Sequence, residues 1–490
     1  MKGLRSIASC ILILVYGKGY PEFKGLLAAL FNFVFYKMKI RSFRVQSPYQ
    51  GNYFFHLKSP FLDRFACFKK RVMRYHLNVN LSSGPMKQVV MVSELDKQFG
   101  QWWDKSMIQN IKIITASSFL AMFFLGVGSA IIGAASKNIG LTPHQIGLLI
   151  ATQNVGFIFS VIVSGMVADR FSKTKLMFMS SFILATAFYF YYLKSAFLFN
   201  CFVMLFIGVG IGGYEGVADA MLLDMYNQRE SLVITINHFF VTFGGLLITV
   251  YLIFLQMDWR TGMVQSALFV FFLATVFALT RVISKSVKAE SLKVRLRFLF
   301  HQKPVLILFI LASAAVGIEL STLGVLTTFL MDLRDFDQVT SKLGLVTFLS
   351  GIACGRLILG FVAKKDQLLN FIAFWFGLVA LCTGVLYFTH LGNALTYLFL
   401  FLTGVAVSVL FPLIIAVSGI RYATSKGMIM GMVKLGVPTG GILMPFFISL
   451  MSKYGSFERA LLLFPVIGAF GFVLALMSKN AFPGHHPHKH

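Results

Sequence analysis

An all-α integral membrane protein, with twelve transmembrane helices in two pseudo-symmetric six-helix bundles, is the fold class this 490-residue sequence predicts. Three observations carry that expectation. The chain is 57% hydrophobic and only 13% charged, with a mean hydropathy of +0.78. That is too little charge to cover a soluble chain of this length. From Ile111 onward, apolar runs of about twenty residues alternate with short polar breaks, each run long enough to cross a bilayer as a helix. Finally, Gly165-Met-Val-Ala-Asp169-Arg170 returns as Gly360-Phe-Val-Ala-Lys364-Lys365, 195 residues later. Gly208 likewise matches Gly404, and Gly245-Leu-Leu matches Gly441-Ile-Leu, both 196 apart. A near-constant offset means two copies of one apolar unit.

Taken in order, residues 1–106 form a basic extension. Their apolar stretches, Ile7–Tyr16 and Leu26–Tyr36, are too short to span, and Arg64 to Arg74 is a basic run. Without a clear pattern of helices and turns, this segment is expected to be cytoplasmic or poorly ordered, or to precede a start at Met86 or Met107. The N-terminal bundle, 107–284, holds spans near 111–135, 145–168, 175–193, 196–223, 232–255 and 262–283. A basic cytoplasmic linker, 285–303, joins it to the C-terminal bundle, 304–479. The second set of spans lies near 304–331, 341–363, 368–389, 393–418, 426–451 and 458–478. The tail, 480–490, is His-containing and reads as a loose end that needs no metal.

Charge sets the expected orientation. The chain has 44 Lys and Arg against 18 Asp and Glu, and 17 of the 44 precede residue 107. The remaining positive residues favour the loops after even-numbered spans. Both termini are therefore expected to face the cytoplasm, most simply at the cell inner membrane. In a soluble protein such basicity would suggest nucleic acid; in a chain mostly buried in lipid it marks sidedness. Cys10, Cys67, Cys201, Cys354 and Cys382 are scattered, with neither disulfide nor metal spacing.

Charged residues within apolar spans are costly unless they face a cavity or a partner. Glu215 and Asp219 lie at i,i+4 in span 4, which puts both carboxyls on one face. Two close carboxyls resist ionising together, which suits a proton carrier; Glu215 is the expected carrier, supported by Asp219. Glu319 sits mid-span 7 and Lys434 lies within span 11. An intramembrane Glu319–Lys434 pair is expected, either as a solute contact or as a static structural pair. His238, Asn237, Gln153 and Asn154 are candidate hydrogen-bonding partners of a polar solute. Asp224 reads as a gate lock paired with a loop cation, and Arg356 as a residue near the cytoplasmic gate. Tyr189, Tyr191 and Tyr192 read as an interfacial belt.

Gly165-Met-Val-Ala-Asp169-Arg170-Phe-Ser-Lys173-Thr-Lys175 resembles the signature loop of the major facilitator superfamily, with Ser172 where a glycine is usual. The resemblance implies the major facilitator fold and gives Gly165, Asp169 and Arg170 a gating role. A narrower resemblance is to the fucose–proton symporter branch. It rests on the Gly-rich span 4 with Glu215 and Asp219, on Asn237-His238 before Gly244, on Val316-Gly317-Ile-Glu319, on Gly355-Arg356 and on Phe411-Pro412. The acid that some members of that branch carry in the first helix is missing here, where span 1 has only Gly126 and Gly128.

Parallel repeats are the layout of many secondary transporters, with the solute site between the halves. The expected function is proton-coupled symport, by alternating access, of a small polar solute that is sugar-like by resemblance. The expected partners are that solute, a coupling proton or sodium and the lipid bilayer, with no nucleic acid and a monomeric chain. An efflux antiporter for amphiphilic compounds and a non-transporting receptor on a transporter scaffold are the alternatives. There is no Gly-rich nucleotide loop, nucleophile elbow or metal-ligand cluster in the sequence. No enzyme activity, cofactor or metal is expected.

Overall fold

The computed structural model describes residues 109–167, 172–226, 230–282, 302–359, 368–422 and 426–478. The N-terminal extension, Asp169, Arg170, Arg229, the repeat of that loop at 360–365, nearly all of the linker and the tail lie outside them. The first bundle comprises α1 (Ile111–Ile139), α2 (Pro143–Val167), α3 (Lys173–Phe190), α4 (Phe197–Met225), α5 (Glu230–Phe254) and α6 (Trp259–Ala278). The second comprises α7 (Lys303–Leu333), α8 (Gln338–Leu359), α9 (Leu368–Phe388) and α10 (Asn393–Arg421), followed by two interrupted spans. Span 11 is α11a (Lys426–Lys434) and α11b (Gly436–Tyr454); span 12 is α12a (Phe457–Ala460) and α12b (Leu463–Met477). Among the described residues no strand occurs, and ten helical stretches are long and apolar enough to cross a membrane. The two that fall short are α3, which opens on Lys173 and Lys175, and α8, which carries Lys342 and Arg356.

Helix ends follow local chemistry. The Asn110 side chain accepts from the Lys112 N–H at 3.0 Å and starts α1. Gly140 ends it in the left-handed region at φ 82°, where a side chain would be strained. Asp337 accepts from the Thr340 hydroxyl and the Thr340 N–H, each at 2.6 Å, before α8, and these bonds hold its carboxyl below the usual carboxylate range. The interruption of span 11 also has a local cause. Pro438 has no N–H to give the carbonyl of Lys434, four residues earlier, and the helix stops there.

The duplication seen in the sequence is present in the packing. In the first bundle α1 lies on α5, α2 on α4, α3 on α6 and α3 on α4. In the second, α7 lies on α11b, α8 on α10, α9 on α12b and α9 on α10. The repeated glycines hold equivalent places. A Cβ on Gly208 of α4 would stand 1.8 Å from the Gln153 carbonyl oxygen of α2. One on Gly404 of α10 would stand 2.2 Å from that of Phe348 in α8. Gly245 faces Ala130 of α1 and Leu349 of α8, while Gly441 faces Leu320 of α7 and Asn154 of α2. Each of these thus touches one helix of its own bundle and one of the other. Small residues at such points let backbones approach closely.

Gly208→Val should consequently overpack the α2–α4 contact and cost about 1–3 kcal/mol. It would be read as a lower midpoint in thermal unfolding of the detergent-purified protein. Gly392→Ser, at a helix start with nothing within 4 Å, should leave that midpoint unchanged or raise it slightly.

Candidate functional site between the bundles

The centre of the site is a single carboxylate. Helical spacing sets Glu215 and Asp219 one turn apart on α4. Asp219 then gathers three partners: the His238 Nε2 at 3.0 Å, the Asn237 side-chain amide at 3.0 Å and the Lys434 ammonium at 3.6 Å. The first two come from α5 of the same bundle, and Lys434 comes from the end of α11a in the other. Asn237 is fully buried and accepts from the Ser118 hydroxyl of α1 at 3.4 Å, which fixes its amide toward Asp219. The Glu215, Asp219 and His238 ligand atoms all lie within 4.8 Å of one another. Among the described residues, no hydrogen bond or ion pair to a protein group is found for Glu215. This spacing would admit a cation, but Lys434 already supplies positive charge at Asp219.

A second cluster adjoins the first. Arg356 of α8 donates to Glu319 of α7 at 3.0 Å and to the Thr242 hydroxyl of α5 at 2.8 Å. Thr242 is one turn beyond His238 on α5, so both clusters border the same helix face. The cations are more exposed than the acids they pair with. Side-chain exposure is 42% for Lys434 and 30% for Arg356, against 16% for Asp219 and 15% for Glu319.

Several sequence expectations are revised by this geometry. The Glu319–Lys434 pair does not form; each side chain takes the opposite charge nearest its own helix face, Arg356 and Asp219 respectively. Arg356, in the last turn of α8, is paired with Glu319 and bonded to Thr242. Gln153 and Asn154 are 4% and 7% exposed. Gln153 donates to the Gly128 carbonyl at 2.8 Å, and Asn154 donates to its own helix at Ile150 while its oxygen lies against Gly441. Both amide groups are thus engaged in helix packing. Tyr191 is fully buried, so only Tyr189, 46% exposed, keeps a belt position. Asp224 pairs with Lys173, a cation of the signature loop. Gly165 closes the last turn of α2, and its gating partners Asp169 and Arg170 lie outside the described residues.

Bonds between the bundles that the sequence reading did not single out gather at one end. Thr327 and Thr328 of α7 meet Ser136 of α1, and Thr327 also donates to the Gly133 carbonyl. Lys137 pairs with Asp332. Asn138 joins Gln338 at 2.9 Å and accepts from Lys342 at 2.8 Å, and His144 exchanges hydrogen bonds with Ser449. Among the described residues, the other side-chain bonds between bundles are the Asp219–Lys434 and Arg356–Thr242 contacts. Ser118 and Thr242 also escaped notice in the sequence; only their helical spacing from the charged residues marks them.

The model of the Major Facilitator Superfamily matches residues 114–418, well over half of the chain. The chain belongs to the major facilitator superfamily. As such it is a multi-pass membrane protein. No curated protein matches significantly. Among solved structures, it is similar to a D-xylose–proton symporter at TM-score 0.63 and 12% identity, over 76% of this chain and 98% of that one. A bacterial homologue of the human lysosomal transporter Spinster, inward-facing and occupied, gives 0.62 and 14% over 75% and 97%. The nucleoside transporter NupG gives 0.62 and 14% over 76% and 99%. At such identities the likeness concerns the fold.

Proposed function

We propose that this superfamily member is a secondary active transporter that carries a small polar solute together with a proton, by alternating access. The observation that carries the reading is Asp219, a carboxylate in the last two turns of α4 that is shared between His238 and Asn237 of its own bundle and Lys434 of the other. A proton on Asp219 or Glu215 would weaken the hold on Lys434 and so uncouple α4 from α11a. Protonation and bundle movement are thereby linked through one ion pair. Glu215 is the proposed point of proton entry, since it adjoins this cluster without a bonded partner among the described residues. Glu319, His238 and Lys434 would surround the solute, with buried Asn237 holding Asp219 in place. Asp224 with Lys173, and Gly165 with Asp169 and Arg170, would belong to the gate. The end stapled by Ser136, Lys137, Asn138 and His144 is opposite the one at which α6 ends and α7 begins. With the basic loops in the cytoplasm, it would be the outer end, closed in this structure. The termini would then be cytoplasmic, at the cell inner membrane.

Uptake into proteoliposomes of the purified protein should be driven by an inward proton gradient. Glu215→Gln should keep solute exchange at zero gradient but lose accumulation. Unchanged accumulation in that variant would remove the proton role from Glu215. The likeness to a xylose–proton symporter favours a hydroxylated solute, in keeping with the fucose-symporter resemblance.

A further inference from the structure

The charges around the site point to a solute class that the sugar resemblance does not provide. Resting on the transporter reading, we propose that the transported solute is a small organic anion bearing a carboxylate, held by Lys434 and Arg356 and bound together with a proton. A neutral sugar needs hydrogen-bond donors and acceptors. It gives no reason to place two cations in the membrane interior, where each is costly unless used or paired. Here the two cations are also the more exposed members of their pairs. His238, with its side chain 34% exposed, bonds Asp219 beside Lys434, and Thr242, one turn further along α5, bonds Arg356.

The count of charges then couples anion to proton. The groups facing one another are Glu215 and Asp219 of α4, His238 of α5, Glu319 of α7, Arg356 of α8 and Lys434 of α11a. Asp224 and Lys173, beyond Asp219 toward the end of α4, neutralise each other. Three carboxylates against two fixed cations leave the site with no spare positive charge. A bound anion would put two carboxylates on Lys434, and like charges in a poorly solvated site resist this. A proton taken up on Asp219 or Glu215 removes that repulsion and releases Lys434 to the solute. Anion and proton therefore bind cooperatively, each raising the affinity of the other. No covalent step is involved.

The test uses the full-length protein in detergent and matched probes: D-gluconate, D-glucose and D-glucosamine; lactate and lactamide; succinate and succinamide. Binding is read by thermal shift at pH 5.5 and pH 8. At least one acid should bind tenfold or more tightly than its neutral or cationic analogue, and more tightly at the lower pH. That preference should fall about tenfold in Lys434→Gln and return in Lys434→Arg. Proton uptake on binding, measured in weakly buffered wild-type protein, gives a second reading that does not depend on the variants. The inference is overturned if no acid outperforms its analogue, or if the preference survives in both Lys434→Gln and Arg356→Gln. Flux assays with the same probes separate the two readings. An acid that binds without crossing proteoliposomes defeats the transporter reading alone. Flux of only a neutral member defeats the anion assignment alone.

Discussion

Arg356→Leu should destabilise the folded protein by about 3 kcal/mol, because it leaves Glu319 charged among apolar helices with its cation removed. Adding Glu319→Leu should recover most of the loss, since replacing both members of a buried ion pair by apolar groups is often close to neutral. Both effects are measurable as shifts in thermal or denaturant unfolding of the purified protein, set against the Glu319→Leu single variant. Recovery by the second substitution would establish that the two residues act as a pair. Equal instability of the single and double variants would mean that Arg356 is held chiefly by Thr242 of the opposite bundle. The double variant should remain without transport, because the proposed solute site loses a cation whether or not the fold is restored.

Joining the two bundles at their stapled end should stop transport almost completely. Lys137 of α1 and Asp332 of α7 face each other there, and both are partly exposed. In a background with the native cysteines replaced, Lys137→Cys with Asp332→Cys should be linked by a short bis-maleimide or by oxidation. Uptake by the linked protein should fall at least tenfold, and reduction of the oxidised form should restore it. The physical reason is that alternating access requires this end to open, and a covalent bridge forbids the separation. The ion pair itself is a minor contributor at such exposure, so the unlinked double variant should keep most of its activity. Undiminished uptake after complete linking would show that the bundles do not part at Lys137 and Asp332.

The two expectations rest on different levels of the molecule. The first depends on one partly buried pair, and the second on the way two copies of a six-helix unit meet. Much of both was legible in the sequence. The lengths of the apolar runs place helix ends to within a few residues, because hydrocarbon thickness fixes what a span requires. The repeat of Gly208 at Gly404 and of Gly245 at Gly441 anticipates equivalent close contacts, because only a missing side chain permits that approach. The i,i+4 spacing of Glu215 and Asp219 puts both on one face, because the helical period is fixed.

What the sequence could not supply was the partner across a gap between helices. Periodicity orients a side chain relative to its own helix and says nothing about the rotation or depth of the next one. Glu319 and Lys434 look like natural partners when spans are counted, yet Glu319 meets Arg356 and Lys434 meets Asp219. The stop in the helix before Pro438 sets where Lys434 ends, and the close packing of Gly436 and Gly440 on α7 sets how α11 lies. Gln153 and Asn154 were drawn from sequence as solute ligands for the same reason; packing against Gly128 and Gly441 gave them other work. Sequence alone therefore determined the spans, the duplication and which residues share a helix face, since those follow from local geometry and hydrophobicity. Only the tertiary structure decided which charges are joined, because pairing depends on the relative placement of helices that no local rule fixes.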